Sequence, residues 1–193
     1  MTKADKITSI RLILAPFFVV IYFLPHWFPS LKDTSAWTVP CLWALFIVSE
    51  ISDMLDGMVA RKFNEGSDFG RLFDPFADTL VQVSYFLCFV VDGILPAALF
   101  LVVLYREFGI LFIRNLMLKK GIAMGARMGG KIKTVTYIIA GIAALASSSL
   151  GRLGYDALVP PFRVAALGIF SISVVFSVLS FLDYVRVYKK ADA

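Results

Sequence analysis

Hydrophobic residues run along this chain in long blocks, and the polar residues collect between them. Six blocks can be drawn, at about 7–28, 36–62, 70–92, 95–118, 132–150 and 162–188. Several approach the ~20 residues that cross a bilayer as a helix. Turn-forming stretches separate the blocks: FPSLKDTS, NEGSD, VDGILP, KKGIAMGARMGG and SSSLGRLGYDALVPP. No internal repeat or low-complexity segment interrupts the pattern. The expectation is an all-α integral membrane protein: a six-transmembrane-helix bundle forming one membrane-embedded domain over residues 1–193.

Charge orients this bundle. Six spans place both termini on one side, and fourteen lysines and arginines fall on that side. Only Lys32, Arg152 and Arg163 fall opposite, while Arg106 and Arg114 lie inside the fourth span. Basic residues concentrate on the cytosolic side of membrane proteins, so both termini are expected in the cytosol and the chain in the cell's inner, cytoplasmic membrane. As a helix, residues 36–62 would run roughly 40 Å, longer than the ~30 Å hydrocarbon core. The last two turns of that span should therefore project into the cytosolic interface.

Composition agrees: 59% of residues are hydrophobic and 17% charged, against the ~45–50% and ~25% usual in soluble domains. The net charge of +5 does not point to nucleic acid, because the basic residues sit between apolar runs rather than among stacking aromatics. Cys41 and Cys88 lack metal-site spacing and read as inert thiols. The single histidine, His26, lies in LPHWFP, a membrane-interface loop. Lys3, Lys6 and Arg11 before an apolar run imitate a signal peptide. The run is too long for one and no small-x-small cleavage site follows, so a retained first helix is expected.

One stretch departs from the pattern. Residues 52–79 read SDMLDGMVARKFNEGSDFGRLFDPFADT and hold six of the fourteen acidic residues. On a helix Asp53 and Asp56 share a face, with Gly57 and Ala60 four residues after each, and Asp74 and Asp78 share another. A short loop between the two helices brings all four carboxylates toward one volume. Unneutralised, they would repel one another, and hard divalent cations such as Mg²⁺ or Mn²⁺ resolve this better than Zn²⁺. Gly57 and Ala60 leave a bare helix face for a ligand, and Arg61 offers a fork suited to phosphate. Together these suggest phosphoryl transfer from a nucleotide. Blander readings exist: Asp74 before Pro75 is a common helix start, Asp56-Gly57 a common turn, and two acids can simply solvate a helix end.

The pattern Asp53-x2-Asp56-Gly57-x2-Ala60-Arg61-x8-Gly70-x3-Asp74-x3-Asp78 resembles, at every specified position, the signature of the CDP-alcohol phosphotransferases, a family of six-helix membrane bundles. The resemblance implies two divalent cations, Mg²⁺ or Mn²⁺, held by Asp53, Asp56, Asp74 and Asp78, with Asp78 also the base. It implies that Asp56, Gly57, Ala60, Arg61 and Gly70 receive the CDP moiety. The implied reaction is attack of an alcohol on the lipid-side phosphorus of a CDP-linked donor, with release of CMP.

Within the family the chain is most similar to the bacterial phosphatidylglycerophosphate synthase subfamily, through ITSIRLILAPFF, DFGRLFDPFAD, YREFGILFIRNL and GGKIKTV. That similarity implies CDP-diacylglycerol and sn-glycerol 3-phosphate as substrates, with Arg106, Arg114, Lys131 and Lys133 holding the acceptor phosphate. An ionisable residue as deep as Arg106 is costly and usually functional, and four cations around one cleft favour an anionic acceptor. The alternative is that Arg106 pairs structurally with Glu50 or Glu107 and that the lysines only mark topology. Asp5 and Thr79 stand where the subfamily commonly has Asn and Lys. An inositol-phosphate acceptor therefore stays open, and a serine- or choline-type acceptor is a weaker alternative.

Two rivals lie outside the family. A membrane prenyltransferase would need a second Asp-rich motif after Asp78, and a carboxylate-lined transporter would place acids at mid-span and show repeats. The resemblance also implies a homodimer. Gly141, Ala143, Ala144 and Gly168 suit close helix packing either between or within subunits.

Overall fold

The structure is a computed structural model that describes residues 3–28, 35–63, 68–122 and 128–192. It holds six long helices and, among the described residues, no strand: α1 (Lys3–Trp27), α2 (Ser35–Phe63), α3 (Asp68–Val91), α4 (Ala97–Lys119), α5 (Met128–Arg152) and α6 (Val159–Asp192). A short 3₁₀ turn, Asp156–Leu158, leads into α6. Every helix falls within a few residues of an apolar block.

Among the described residues five segments are long and apolar enough to cross a membrane: Thr8–Trp27, Ser35–Asp53, Leu72–Val91, Ile132–Arg152 and Asp156–Lys190. The chain is a multi-pass membrane protein. The fourth block is the exception to the six expected. Helix α4, with 23 residues, is nearly as long as α3, but Arg106, Glu107 and Arg114 put three charges within one bilayer length. Its burial explains how such a helix packs. Arg106, Glu107, Ile110, Ile113 and Met117 face inward, while Tyr105, Phe108 and Phe112 are exposed, Phe112 by 64%. Outward hydrocarbon around inward charge suits a helix surrounded by lipid.

The same inversion holds throughout the bundle. Ile13, Phe17 and Val20 of α1 are exposed, while Thr38, Ser49, Ser147, Ser173 and Ser177 are buried. Buried hydroxyls need partners where no water reaches, and some donate to their own helix: Ser173 to the Ile169 carbonyl at 2.7 Å and Ser52 to the Ser49 carbonyl at 2.8 Å.

Packing joins two groups of three helices. α1 lies against α2 and α3, and α6 lies against α5 and α4. The α3–α4, α2–α5 and α3–α5 contacts join the groups. Aromatic rings fill the centre: Phe18, Tyr22, Phe46, Tyr85, Phe86, Phe89, Tyr137 and Phe170 are all buried. Small residues allow close approach within the subunit. The Phe46 ring of α2 lies 3.1 Å from where a Cβ on Gly141 would sit, and Ala143 and Ala144 are buried. Nothing lies within 4 Å of the corresponding point on Gly168.

Helix ends are set by turn chemistry. At the end of α4, Gly121 adopts φ 74°, a left-handed conformation that L side chains resist. Gly121 N–H then reaches the Leu118 carbonyl at 2.9 Å and Ile122 N–H the Met117 carbonyl at 3.0 Å, closing the helix in a Schellman motif. Gly93, at φ 67°, closes α3 in the same way, with Ile94 N–H on the Phe89 carbonyl at 2.9 Å. The helices alternate in direction, so the start of α1 and the end of α6 lie at the same end of the bundle.

Candidate active site

A cavity of about 280 Å³ opens at that end, lined by residues from all six helices. Arg11 comes from α1, Asp53 from α2 and Asp78 from α3. Arg106 and Arg114 come from α4, Lys133 from α5 and Tyr184 from α6. Its lining divides by charge.

The acidic side is organised around Arg11. This guanidinium, with its side chain only 3% exposed, pairs with the Asp53 carboxylate, and the same nitrogen lies 2.7 Å from Asp78 Oδ1. Both carboxylates stay about two-fifths exposed, at 41% and 39%. Because they meet at one nitrogen, they lie within two hydrogen-bond lengths of each other. Asp74 does not line the cavity. It sits one turn earlier on α3, where its Oδ1 accepts a hydrogen bond from Thr8 Oγ1 at 2.9 Å. Helix α3 begins at Asp68, so Asp74 lies inside the helix and does not cap its start. The reading of Asp74-Pro75 as a simple helix start is thereby removed.

Other residues singled out by the motif are placed less fully. Gly70 is buried near the start of α3. Asp56, Gly57, Ala60 and Arg61 lie on the last turns of α2, and Lys131 on the first turn of α5, but their side chains lie outside the described ones. The donor set can still be judged. Asp53, Asp74 and Asp78 offer only carboxylate oxygens, the hard donors that Mg²⁺ and Mn²⁺ take. Two of the three already converge on a positive charge. These residues fit divalent cations. Among the described residues no three acidic, histidine or cysteine side chains form a ready metal cage.

The basic side is internally paired, and its Arg106 and Lys133 are buried. Arg106 NH1 lies 2.9 Å from both Glu107 carboxylate oxygens. Its Nε donates to the Ser177 carbonyl at 3.1 Å and its NH2 to Ser180 Oγ at 3.2 Å. Lys133 Nζ donates to Glu107 Oε1 at 2.9 Å and lies 4.8 Å from the centre of the Tyr137 ring. Arg114 NH2 donates to Tyr184 Oη at 3.0 Å. Of the two pairings considered for Arg106, the structure realises the one with Glu107. Arg106 still lines the cavity beside Arg114 and Lys133.

Sequence reasoning treated Arg11 only as a topology charge. The available signal was its depth: it lies within the first apolar block, where a charged group needs a partner. Gln82 and Tyr184, which also line the cavity, carried no such signal. Thr79, one of the two departures from the subfamily, is buried and lines the cavity too.

The sequence pattern of the CDP-alcohol phosphatidyltransferase family matches residues 1–182. The chain belongs to the CDP-alcohol phosphatidyltransferase family. Among its relatives in this family is the protein from Treponema pallidum (strain Nichols) named CDP-diacylglycerol–glycerol-3-phosphate 3-phosphatidyltransferase. It is 34% identical over 97% of this chain and 89% of its own length. A Bacillus subtilis (strain 168) protein of the same name is 34% identical over 93% of the chain and 91% of its own length. A probable phosphatidylglycerophosphate synthase of Mycobacterium tuberculosis (strain ATCC 25618 / H37Rv) is 28% identical over 94% of the chain and 79% of its own length. In this family setting, the two-sided cavity is the candidate active site.

Proposed function

We propose that the chain transfers the phosphatidyl group of CDP-diacylglycerol to sn-glycerol 3-phosphate, giving phosphatidylglycerophosphate and CMP. The observation that carries this reading is the single cavity in which Asp53 and Asp78 face Arg106, Arg114 and Lys133. A diphosphate-activated donor and an anionic acceptor need such a pair of subsites side by side. The names of the Treponema and Bacillus relatives support the same donor and acceptor.

In this reading the acceptor hydroxyl oxygen bonds to the lipid-side phosphorus, and the bond from that phosphorus to the oxygen of CMP breaks. CMP leaves with the bonding electron pair. Asp78 takes the hydroxyl proton, acting as the general base. Arg106 and Arg114 from α4 and Lys131 and Lys133 from α5 hold the acceptor phosphate. Holding both reactants in one cavity removes the entropy of a chance encounter. Gly57, Ala60 and Gly70 give the nucleotide close access to backbone, with Asp56 and Arg61 as polar contacts. Asp53, Asp56, Asp74 and Asp78 would hold two divalent cations, Mg²⁺ or Mn²⁺. When bound, these would neutralise the diphosphate and stabilise the leaving CMP.

The positive-inside bias supports a cavity facing the cytosol from the cytoplasmic membrane, with acyl chains left in lipid. A homodimer accords with the resemblance, and Gly168 offers an open small-residue position for it. The test is purified protein in detergent with CDP-diacylglycerol and Mg²⁺, assayed for CMP release against several acceptors. Release with glycerol 3-phosphate alone is expected. Release with inositol phosphate but not glycerol 3-phosphate would replace the acceptor, and no acceptor-dependent release would favour a carboxylate-lined transporter.

A further inference from the structure

The basic side of the cavity carries its own anion. Glu107 is 4% exposed and is shared between Arg106 of α4 and Lys133 of α5, at 2.9 Å from each. A buried carboxylate is tolerated only when paired, and here the pairing also binds the two cations to each other. Arg106 is anchored further by Ser177 and Ser180 of α6, so the whole cluster is braced across three helices. Without Glu107, two buried positive charges would face each other across the cavity wall. At the cavity, α4 and α5 supply Arg106, Arg114 and Lys133 with Glu107 as their one carboxylate, and Glu50, Asp53 and Asp78 face them from α2 and α3. Glu107 thus withholds one unit of positive charge from any anion that these cations meet.

We propose that Glu107 is a positioning residue that sets how the acceptor phosphate is held: a built-in counter-anion that keeps Arg106 and Lys133 in register and lowers the positive charge they present to it. This rests on the reading that the basic side receives an acceptor phosphate. Glu107 touches no reacting atom. It acts through the two cations, and through the positive charge it withholds from any incoming anion. At an effective dielectric of ~20, one unit of charge a few ångströms from a dianion changes binding by about tenfold or more.

The test compares Glu107→Gln and Glu107→Asp with the natural chain in detergent. Inorganic phosphate is the probe, read as its dissociation constant from thermal midpoints. Glu107→Gln keeps the shape and removes the charge, and it should bind phosphate about tenfold tighter. In turnover its KM for glycerol 3-phosphate should stay level or fall, while kcat drops about tenfold because the two cations lose their common anchor. Glu107→Asp keeps the charge and should bind phosphate within about threefold of the natural chain. A merely structural Glu107 would lower the melting midpoint of Glu107→Gln without tightening phosphate, which would overturn the assignment. Tightening in Glu107→Asp as large as that expected for Glu107→Gln would overturn it as well. If Glu107→Gln does not fold, Glu107→Asp decides alone, and a tenfold change in either direction refutes the proposal. If the natural chain releases no CMP with any phosphomonoester while Glu107→Gln still tightens phosphate, the reaction assignment falls and the role of Glu107 stands.

Discussion

Replacing Arg11 with glutamine should destabilise the metal-free protein and enlarge its response to divalent cations. Arg11 is buried between Asp53 and Asp78 and meets both carboxylates through one nitrogen. A unit charge about 4 Å from a carboxylate is worth ~4 kcal/mol at an effective dielectric of ~20. The two aspartates are 41% and 39% exposed, however, and water screens most of that attraction, leaving about 1 kcal/mol for each pair. Removing Arg11 also exposes each aspartate to the other's charge. The expected loss is ~2–3 kcal/mol, which for a chain of this size lowers the melting midpoint by roughly 5–10 °C. Unfolding in detergent with a chelator, and then with rising Mg²⁺ or Mn²⁺, measures both effects. The cation-induced rise in midpoint should be larger in Arg11→Gln than in the natural chain, because a divalent ion then supplies the neutralisation Arg11 gave. Equal melting under chelator, or an equal response to metal, would refute the account of Arg11 as the counter-charge of the acidic side.

Two further substitutions test how the fold supports the cavity. Gly109→Ala places a Cβ 2.9 Å from the Phe181 ring. This α4–α6 contact should lose ~1–3 kcal/mol to overpacking and recover with Phe181→Leu; the unfolding midpoints of the single and double variants check it. At the opposite end of the bundle, Asp92 accepts from Tyr22 Oη at 2.5 Å and lies 4.0 Å from Arg152 NH2. Asp92→Ala should cost ~2–4 kcal/mol in unfolding free energy, yet leave the acceptor KM within about twofold, because Asp92, Tyr22 and Arg152 do not line the candidate active-site cavity.

Most of the helical frame could be read from the chain because hydrocarbon blocks of bilayer length leave few alternatives. The first block, 7–28, became Lys3–Trp27, and the second, 36–62, became Ser35–Phe63. The fourth helix follows different rules. Its hydrocarbon content matches that of the other spans, but Arg106, Glu107 and Arg114 fall within one bilayer length, and only burial distinguishes Arg106 and Glu107 from Tyr105 and Phe112. At the site, the paired spacings of the aspartates showed that α2 and α3 carry the acidic side. They could not show that Asp74 turns to Thr8 of α1 while Asp53 and Asp78 turn to Arg11. The Asp74–Thr8 and Asp53–Arg11 contacts span 66 and 42 residues of chain, the Asp78–Arg11 contact is as distant, and no local periodicity reports them. Glu107 was visible only as one partner open to Arg106. That it bridges Arg106 to Lys133 depends on how α4 and α5 pack, a distance of 26 residues in sequence.

If the acidic and basic sides of one cavity act together on a donor and an acceptor, the two products form in step. The stoichiometry of products from CDP-diacylglycerol and glycerol 3-phosphate, measured for the natural chain and for Asp78→Asn, decides this. The account predicts one phosphatidylglycerophosphate for each CMP in the natural chain. In Asp78→Asn both should vanish, although the variant still inserts and binds CDP-diacylglycerol. Near-normal turnover in Asp78→Asn, or CMP released without a matching phospholipid, would contradict it.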